Sequence, residues 1–272
     1  MSNAANPEIT IWLCPPVGWS ERSAEAVCLP WLDQTERARW QSFVFARDRH
    51  LYLVAHGLLR WALTSAAPDV SPQDWQFRAD ARGRPSLSGP GDTGTLSFSL
   101  SHTRNMTAVA IGAGAALGVD VEARRDVSDP ALAAAAAAFA PSERAWLASL
   151  PHARRGDATL RLWTLKEAYA KACGLGLHLP LDGFAFMLDE HRGVRSFQPP
   201  GDEPAAGEWE FLEAAPGECR LALAWRRANA QPAPERSLRI GMTVRGMWSP
   251  RCTLLMPAAG VTKVTRPSRP PL

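Results

Sequence analysis

Two halves of the chain carry the same succession of patterned segments, and this repetition restricts the folds open to it. In the first half, a β-like run at 8–14 precedes a long segment, 42–66, whose apolar residues recur at helical spacing. Short β-like runs separated by turn signals then follow, at 75–78, 95–101 and 106–112. The first half therefore predicts a long helix and a sheet of short strands.

The second half repeats this order. The run at 106–112 continues into a β-like run at 118–122, and the second half then opens with helical segments at 130–139, 141–150 and about 159–173. It ends on four β-like runs, at 183–188, 193–197, 208–212 and 219–225. Because helices that cover one face of a sheet leave the other face to meet a counterpart, we expect an α+β fold of two similar lobes.

The predicted division of the chain follows from these patterns. We expect an N-terminal lobe over 1–116, a C-terminal lobe over 117–246, and a Pro- and Arg-rich tail over 247–272 that is mobile. Nucleic-acid binding by the cations of this tail is an alternative, but the tail lacks aromatic residues interleaved with those cations.

Composition indicates a folded protein of the cytoplasm. The 272 residues are 46% hydrophobic, and the net charge of +3 is too small to indicate nucleic-acid binding, although it suits an anionic ligand or an acidic partner. Five widely spaced cysteines without a CxxC pair predict thiols, not disulfides or a zinc site. No secretory signal is visible, and no apolar run reaches the roughly 20 residues that span a bilayer, so we expect no membrane association.

The pentapeptide Gly118-Val119-Asp120-Val121-Glu122 places two carboxylates on one face of a strand, because strand residues two apart point the same way. Val119 and Val121 would then face the core, and the acids would face a cleft or solvent. A divalent cation relieves the repulsion between adjacent carboxylates. An edge strand with solvated acids is the alternative that the pattern leaves open.

A second motif lies on the predicted helix over 159–173, in the run Trp163-Thr164-Leu165-Lys166-Glu167-Ala168-Tyr169-Ala170-Lys171. Glu167 and Lys171, four residues apart, share one helix face. Such pairs often only stabilise a solvated helix, but the other residues of this run are largely apolar, which favours a functional role. Glu167 would add a third carboxylate to Asp120 and Glu122, and such an oxygen site with open positions suits Mg²⁺ that bridges phosphate oxygens.

Groups suited to phosphate recognition are spread over the first half. Arginine offers a fork of donors to phosphate oxygens, and a Ser-His pair at a strand end adds a hydroxyl and an imidazole. Each group alone has an ordinary alternative, a solvated arginine or a structural histidine. The groups are Arg47, Arg82, Arg84, Ser101 and His102.

Four motifs, in this order, resemble the successive signatures of the Sfp-type 4′-phosphopantetheinyl transferases. They are Arg82-Gly83-Arg84-Pro85, Phe98-Ser99-Leu100-Ser101-His102, the pentapeptide at 118–122 and the run at 163–171. The resemblance covers about residues 35–190. It implies the fold of that family, a pseudo-twofold α+β monomer with coenzyme A and Mg²⁺ in the cleft between its lobes.

The resemblance also implies a role for each matched residue. Asp120, Glu122 and Glu167 would hold Mg²⁺ against the pyrophosphate of coenzyme A, and Glu167, Lys171 and Asp120 would carry the catalysis, with Glu167 as the candidate base. Coenzyme A would be bound by Arg39, Arg47, Arg82, Arg84, Pro85, Ser101, His102 and Lys171. Arg84 stands where the family frequently has lysine, which keeps the charge and alters the geometry of a phosphate contact.

The implied reaction is Mg²⁺-dependent transfer of 4′-phosphopantetheine from coenzyme A to a serine of an apo acyl, peptidyl or aryl carrier protein, with release of adenosine 3′,5′-bisphosphate. We therefore expect a cytoplasmic, monomeric enzyme of the holo-[acyl-carrier-protein] synthase type with an acidic carrier protein as its partner. The competing hypothesis, a silent coenzyme A-binding module, predicts loss of an acid or of the helix lysine, and Asp120, Glu122, Glu167 and Lys171 are all present.

Overall fold

The computed structural model describes residues 9–81, 83–113, 116–189, 193–201 and 209–226, and strands at 239–242, 253–255 and 261–263. The α-helices of this part are α1 (Glu21–Cys28), α2 (Gln34–Ser42), α3 (Ala46–Ala66), α4 (Asp129–Ala137), α5 (Pro141–Ser149) and α6 (His152–Cys173). The strands are β1 (Thr10–Cys14), β2 (Gln76–Ala79), β3 (Pro85–Ser88), β4 (Leu96–His102), β5 (Thr107–Ala113), β6 (Ala116–Ala123), β7 (Ala185–Asp189), β8 (Gly193–Gln198), β9 (Trp209–Ala214), β10 (Cys219–Arg226), β11 (Arg239–Met242), β12 (Thr253–Leu255) and β13 (Val261–Lys263).

Each lobe is organised around one sheet. The N-terminal lobe has a five-stranded sheet in the order β12-β11-β1-β5-β4, in which β1 runs parallel to β11 and antiparallel to β5. The C-terminal lobe has a four-stranded antiparallel sheet in the order β13-β9-β10-β6. The predicted fold class, α+β with two lobes of helix-covered and mainly antiparallel sheet, is confirmed.

The last described strands connect the two lobes in a way that the sequence pattern does not predict. β11 and β12 come late in the chain but join the N-terminal sheet, whereas β13 joins the C-terminal sheet. Two of these strands, β12 and β13, lie within 247–272, the stretch for which the sequence predicts a tail.

The layers of the molecule follow the order helix, sheet, sheet, helix. α3 covers the outer face of the first sheet, where Leu58 and Leu63 share a buried cluster with Val109 and Ile111 of β5. The inner faces of the two sheets pack on each other, because alternate residues along each strand are apolar and point inward. The residues buried between the sheets include Ile11, Leu13, Ala108, Ala110, Val119, Val121, Leu221 and Leu223.

α6 covers the outer face of the second sheet through an aromatic core. The ring of Tyr169 lies 4.8 Å from that of Phe184 and 4.9 Å from that of Phe197, and Phe186 and Phe211 are 4.9 Å apart. Aromatic pairs of this kind each contribute about 0.5–1.5 kcal/mol beyond the burial of their surface. The aromatic core therefore fixes the rotation of α6 about its axis, and with it the direction of the charged residues on either side of Tyr169.

A buried ion pair fastens α6 to α5. The side chains of Lys166 and Glu143 are fully buried, with Nζ 2.8 Å from Oε2. Nζ also donates to the carbonyl oxygens of Leu181, at 2.7 Å, and Phe184, at 2.8 Å, while the Glu143 carboxylate accepts the N–H of Phe186 at 2.9 Å. All three donors of the ammonium are thus used, as a buried charge requires. Lys166 is the structural member of the run at 163–171.

Two predicted helix boundaries are wrong. The helix predicted to begin at Ser42 begins at Ala46, because α2 ends at Ser42 and the chain is extended at Phe45, where φ is −91° and ψ is 132°. The helix predicted from about 159 begins at His152, and its first turns are exposed, so they carry no apolar period that the sequence could display. The sequence pattern does not predict α1 and α2.

Gly118 lets α6 lie directly on β6. A Cβ atom at this position would collide with the carbonyl oxygen of Ala168 and with the backbone nitrogen of Ala172, both in α6. The colliding atoms belong to the helix backbone, so no side chain can move aside. The first residue of the pentapeptide is therefore a glycine because the helix backbone occupies the space of a side chain.

Gly118→Ala is expected to lower the free energy of unfolding by about 3 kcal/mol, the upper end of what an added methyl group costs in a packed interior. The matched control is Gly18→Ala, because a Cβ at Gly18 meets no atom within 4 Å. Urea denaturation of the two variants and the wild type measures the difference. Equal stability of both variants would show that the backbones of α6 and β6 are not in direct contact.

Candidate active site

The centre of the site is Asp120, at the interface of β6 and α6. Asp120 is 3% exposed, and its Oδ1 accepts hydrogen bonds from the Ser101 hydroxyl at 2.8 Å and from Lys171 Nζ at 2.6 Å. Nζ also donates to the carbonyl oxygen of Val119 at 3.3 Å. One carboxylate oxygen of Asp120 is therefore held by a strand of the N-terminal lobe and by a helix of the C-terminal lobe.

Two further carboxylates lie close enough to Asp120 to feel its charge. Burial, followed by the negative charge of Asp120, raises the pKa of Glu122 to about 7, although a hydrogen bond from the Trp163 indole nitrogen, at 3.4 Å from Oε1, opposes this rise. Burial and the charge of Asp120 also raise the pKa of Glu167. The three acids predicted from the two motifs thus form one electrostatic group.

Two oxygens of this group have unused acceptor capacity. Asp120 Oδ2 and Glu167 Oε1 are buried and accept no hydrogen bond from the residues that the structure describes. Leaving a buried hydrogen-bond acceptor unsatisfied costs about 1–3 kcal/mol. Carboxylate oxygens are also among the ligands that Mg²⁺ prefers. Within the described ranges, however, no three His, Cys, Asp or Glu side chains already converge on a point where a metal ion would sit.

A cleft of about 520 Å³ opens beside this group, between the lobes. Lys171 and Gly174 line it from the C-terminal lobe, and Arg84, Pro85 and Leu100 line it from the N-terminal lobe. The cleft thus combines cationic and apolar groups, as a ligand with phosphates and an organic moiety requires.

Arg84 joins the two sides of this cleft. Gly174 ends α6 with a φ of 71°, and a Cβ built on it would lie 2.6 Å from Arg84 Nη1, so the guanidinium packs against the C-terminal end of the helix. A cation at the negative end of the helix dipole is stabilised by typically about 0.3–1 kcal/mol. The loop before β3 is therefore held to the C-terminal lobe through a residue that also faces the cleft.

The other predicted phosphate-binding residues are placed differently. Arg39 and Arg47 do not line the cleft: Arg39 lies over the ring of Phe43 at 5.0 Å, and Arg47, 61% exposed, pairs with Asp48 at 3.2 Å. Ser101 is engaged with Asp120, and Arg82 lies outside the described residues.

His102 ends β4 close to this group. Partial removal of its ring from solvent, together with the positive charges of His56 and Lys171, lowers the pKa of His102. The imidazole is therefore a neighbour of the Asp120–Lys171 pair and shares its electrostatic environment.

One cluster on the cleft wall is not predicted by the sequence motifs. Glu36 and His56 both line the cleft, with Nδ1 of His56 2.7 Å from Oε1 of Glu36. Arg60, fully buried, donates from Nε to Glu36 Oε2 at 3.0 Å and from Nη1 to the carbonyl oxygens of Pro72 and Trp75, both at 2.9 Å. Although burial alone raises it, the hydrogen bonds and charges of His56 and Arg60 lower the pKa of Glu36.

The sequence does carry a signal for this cluster. Asp33 and Glu36 form a capping box at the start of α2, in which each side chain accepts the backbone N–H of the other residue, and that spacing is recognisable in the sequence. Arg60 interrupts an otherwise apolar helix face, which indicates a buried charge in need of a partner.

Comparison with known proteins decides the family. A family model for the N-terminal part of 4′-phosphopantetheinyl transferase matches residues 18–113, and the model of the 4′-phosphopantetheinyl transferase superfamily matches residues 116–225. The 4′-phosphopantetheinyl transferase HetI of Nostoc sp. is 32% identical over 202 residues, which are 74% of this chain and 81% of HetI. The chain belongs to the 4′-phosphopantetheinyl transferase superfamily.

Two further relatives of the chain belong to the same superfamily. The phosphopantetheinyl transferase of Thraustochytrium sp. is 28% identical over 247 residues, which cover 80% of this chain and 84% of that protein. The transferase Sfp of Bacillus subtilis is 25% identical over 176 residues, covering 65% of this chain and 75% of Sfp. The resemblance seen in four short motifs is therefore a family relationship, and the chain is a phosphopantetheinyl transferase by descent.

The two family models meet where the chain passes from the first sheet to the second. The N-terminal match ends at residue 113, the last residue of β5, and the superfamily match begins at residue 116, the first residue of β6. Among the described helices, none combines the length and the apolar character that crossing a membrane requires.

Glu122→Gln tests the crowding of negative charge in this transferase. The pKa of Glu122 is raised from 4.5 to about 7, so between these values the folded state keeps a proton that the unfolded state has released. Stability therefore falls as pH rises through this window, and glutamine removes that loss. In EDTA, we expect the advantage of the variant over the wild type to grow by about 2 kcal/mol between about pH 5 and pH 8.

Urea denaturation across this pH range measures the effect. Glu25→Gln, an exposed position on α1, controls for the loss of one charge. Parallel stability curves for the wild type and Glu122→Gln would contradict the crowding.

Proposed function

We propose that the enzyme transfers the 4′-phosphopantetheine group of coenzyme A to a serine of an apo carrier protein, in a reaction that requires Mg²⁺. The observation that carries this proposal is the arrangement around Asp120: one oxygen held by Lys171 and Ser101, the other buried and unpartnered, beside a cleft lined by Arg84. Membership of the superfamily supports the same reaction.

Asp120, Glu122 and Glu167 are the residues that would hold Mg²⁺. The unpartnered oxygens of Asp120 and Glu167 and the raised pKa values of Glu122 and Glu167 support this assignment, because a divalent cation satisfies the first and relieves the second. When bound, the ion supplies positive charge to the pyrophosphate of coenzyme A.

The protein's own residues would stabilise the charge that develops during the transfer and accept the serine proton. The serine oxygen forms a bond to the β-phosphorus of coenzyme A, the bond from that phosphorus to the bridging oxygen breaks, and adenosine 3′,5′-bisphosphate leaves with that oxygen. Lys171 and Arg84 line the cleft and would stabilise the charge that develops on the phosphates. Glu167 is our candidate to take the serine proton, because it is the carboxylate that α6 adds to this group and its Oε1 accepts no hydrogen bond from the described residues.

The acceptor would be an acidic acyl, peptidyl or aryl carrier protein. The mild positive charge of the chain, +3, supports such a partner. HetI and Sfp carry the name of 4′-phosphopantetheinyl transferase and not of holo-[acyl-carrier-protein] synthase, so peptidyl carriers belong in the test beside acyl carriers. The cleft has walls from both lobes of one chain, which supports a monomer as the active species.

Intact-mass spectrometry tests the reaction. The full chain is incubated with coenzyme A, Mg²⁺ and a panel of apo carrier proteins, and a parallel sample contains EDTA. We expect at least one carrier to gain the mass of a single phosphopantetheinyl group, and the gain to disappear in EDTA. Coenzyme A binding by calorimetry without any mass gain would instead support the silent binding module.

Substitution of the acids tests the site. Asp120→Asn and Glu167→Gln keep the shape of the side chain and remove its charge, so we expect turnover to fall by at least about 100-fold in proteins that remain folded. The matched control is Asp157→Asn. Asp157 lies on α6, as Glu167 does, but its side chain is 48% exposed and pairs with Arg220. Near-normal turnover of either site variant would contradict the assignment.

A further inference from the structure

β4 and β6 meet where the two sheets adjoin, and two serine hydroxyls of β4 bridge them. The N–H of Val119 donates to the Ser99 hydroxyl at 3.0 Å, and the N–H of Val121 donates to the Ser101 hydroxyl at 3.3 Å. Both serines are 8% exposed. We call this pair of bridges the hydroxyl seam.

The two serines of the hydroxyl seam differ in one contact. Ser101 also donates its hydroxyl proton to Asp120 Oδ1 at 2.8 Å, whereas the hydroxyl of Ser99 has no carboxylate contact among the described residues. The serines are otherwise similar, since they lie two residues apart on one strand face, have the same burial and accept the same kind of backbone donor. They differ in one further respect, because Ser99 lines the cleft and Ser101 is not among its lining residues. The chain thus contains a natural control for the role of Ser101.

A hydroxyl has one proton to donate. That of Ser101 is directed to Asp120, so it is not available to a phosphate oxygen, which can only accept. Asp120 Oδ1 therefore receives one donor from a strand and one from Lys171, whose side chain is 29% exposed. Of these two donors, the buried strand residue has the less mobile side chain, and it fixes the plane of the carboxylate.

We propose that Ser101 is a positioning residue that orients the Asp120 carboxylate, so that Oδ2 faces the bound cation, and that it is not itself a phosphate contact. The inference rests on the proposed function in that it assigns the cation to Asp120. It assigns a separate task to Ser99, which joins the strands and lines the cleft but has no contact with the carboxylates among the described residues.

The test compares Ser101→Ala with Ser99→Ala in the full chain. Each variant loses one bridge to a β6 N–H, so we expect similar small losses in melting temperature. Only Ser101→Ala should weaken the binding of Mn²⁺, followed by the paramagnetic resonance of the free ion, by about tenfold, as is usual for a lost support of a metal ligand. Ser101→Ala should also lower kcat to a similar extent, with its KM for coenzyme A unchanged. Ser101→Thr, which keeps the hydroxyl, should retain Mn²⁺ affinity.

Three outcomes would overturn the proposal. Equal effects of Ser101→Ala and Ser99→Ala on Mn²⁺ affinity would leave Ser101 as a strand bridge only. A raised KM for coenzyme A at unchanged Mn²⁺ affinity would make Ser101 a ligand contact. The Mn²⁺ titration needs no carrier protein, so it decides the role of Ser101 even if no carrier is modified and the proposed function fails. Absence of Mn²⁺ binding to the wild type, with or without coenzyme A, would also overturn it.

Discussion

The direct contact between the backbones of α6 and β6 is the constraint on which the rest of the site depends. An ordinary side chain at Gly118 would hold the helix away from the strand. Lys171 lies at the point of contact, with its Cβ 3.0 Å from the Cβ position built on Gly118, and from a displaced helix it could not reach both Asp120 and the carbonyl oxygen of Val119. Close packing of two backbones is thus what brings a helix cation within 2.6 Å of a strand carboxylate.

The contact between α6 and β6 brings together carboxylates that repel one another. Asp120 raises the pKa of both Glu122 and Glu167, so the acids disfavour one another in the folded state. The aromatic core around Tyr169 and the buried pair of Lys166 and Glu143 hold α6 in place against that repulsion. Perturbed carboxylates beside a cleft are typical of catalytic and binding sites, where local destabilisation is tolerated for function.

The sequence predicts those parts of the site that depend on local spacing. The i, i+2 carboxylates of β6 and the i, i+4 pair of α6 need only the period of a strand and of a helix, so local spacing makes Asp120, Glu122, Glu167 and Lys171 candidates, and the resemblance to a family gives them their roles. Such patterns do not show which residues of different helices and strands lie close together. The sequence analysis therefore assigns Ser101 to a phosphate, because no local pattern shows that its hydroxyl meets Asp120, which belongs to another sheet.

The cluster of Glu36, His56 and Arg60 joins two helices, of which α2 is short and mostly polar, so periodicity gives no reason to place it on the cleft wall. The pairing of β11 with β1 joins residues more than about two hundred positions apart in a 272-residue chain, and no local pattern encodes such a partner.

The hydroxyl seam also has a consequence for how insertions and deletions would act on this chain. Ser99 and Ser101 meet Val119 and Val121 with the same spacing of two, so the seam sets the register of one lobe's sheet against the other's. A one-residue slip of a strand reverses the face of every side chain along it. Removing a single residue from β6 ahead of Asp120 would therefore turn Asp120 toward the apolar layer between the sheets and a valine toward α6. Removing one from β4 ahead of Ser101 would turn its hydroxyl away from Asp120, so changes of length are tolerated in the turns and not in these two strands.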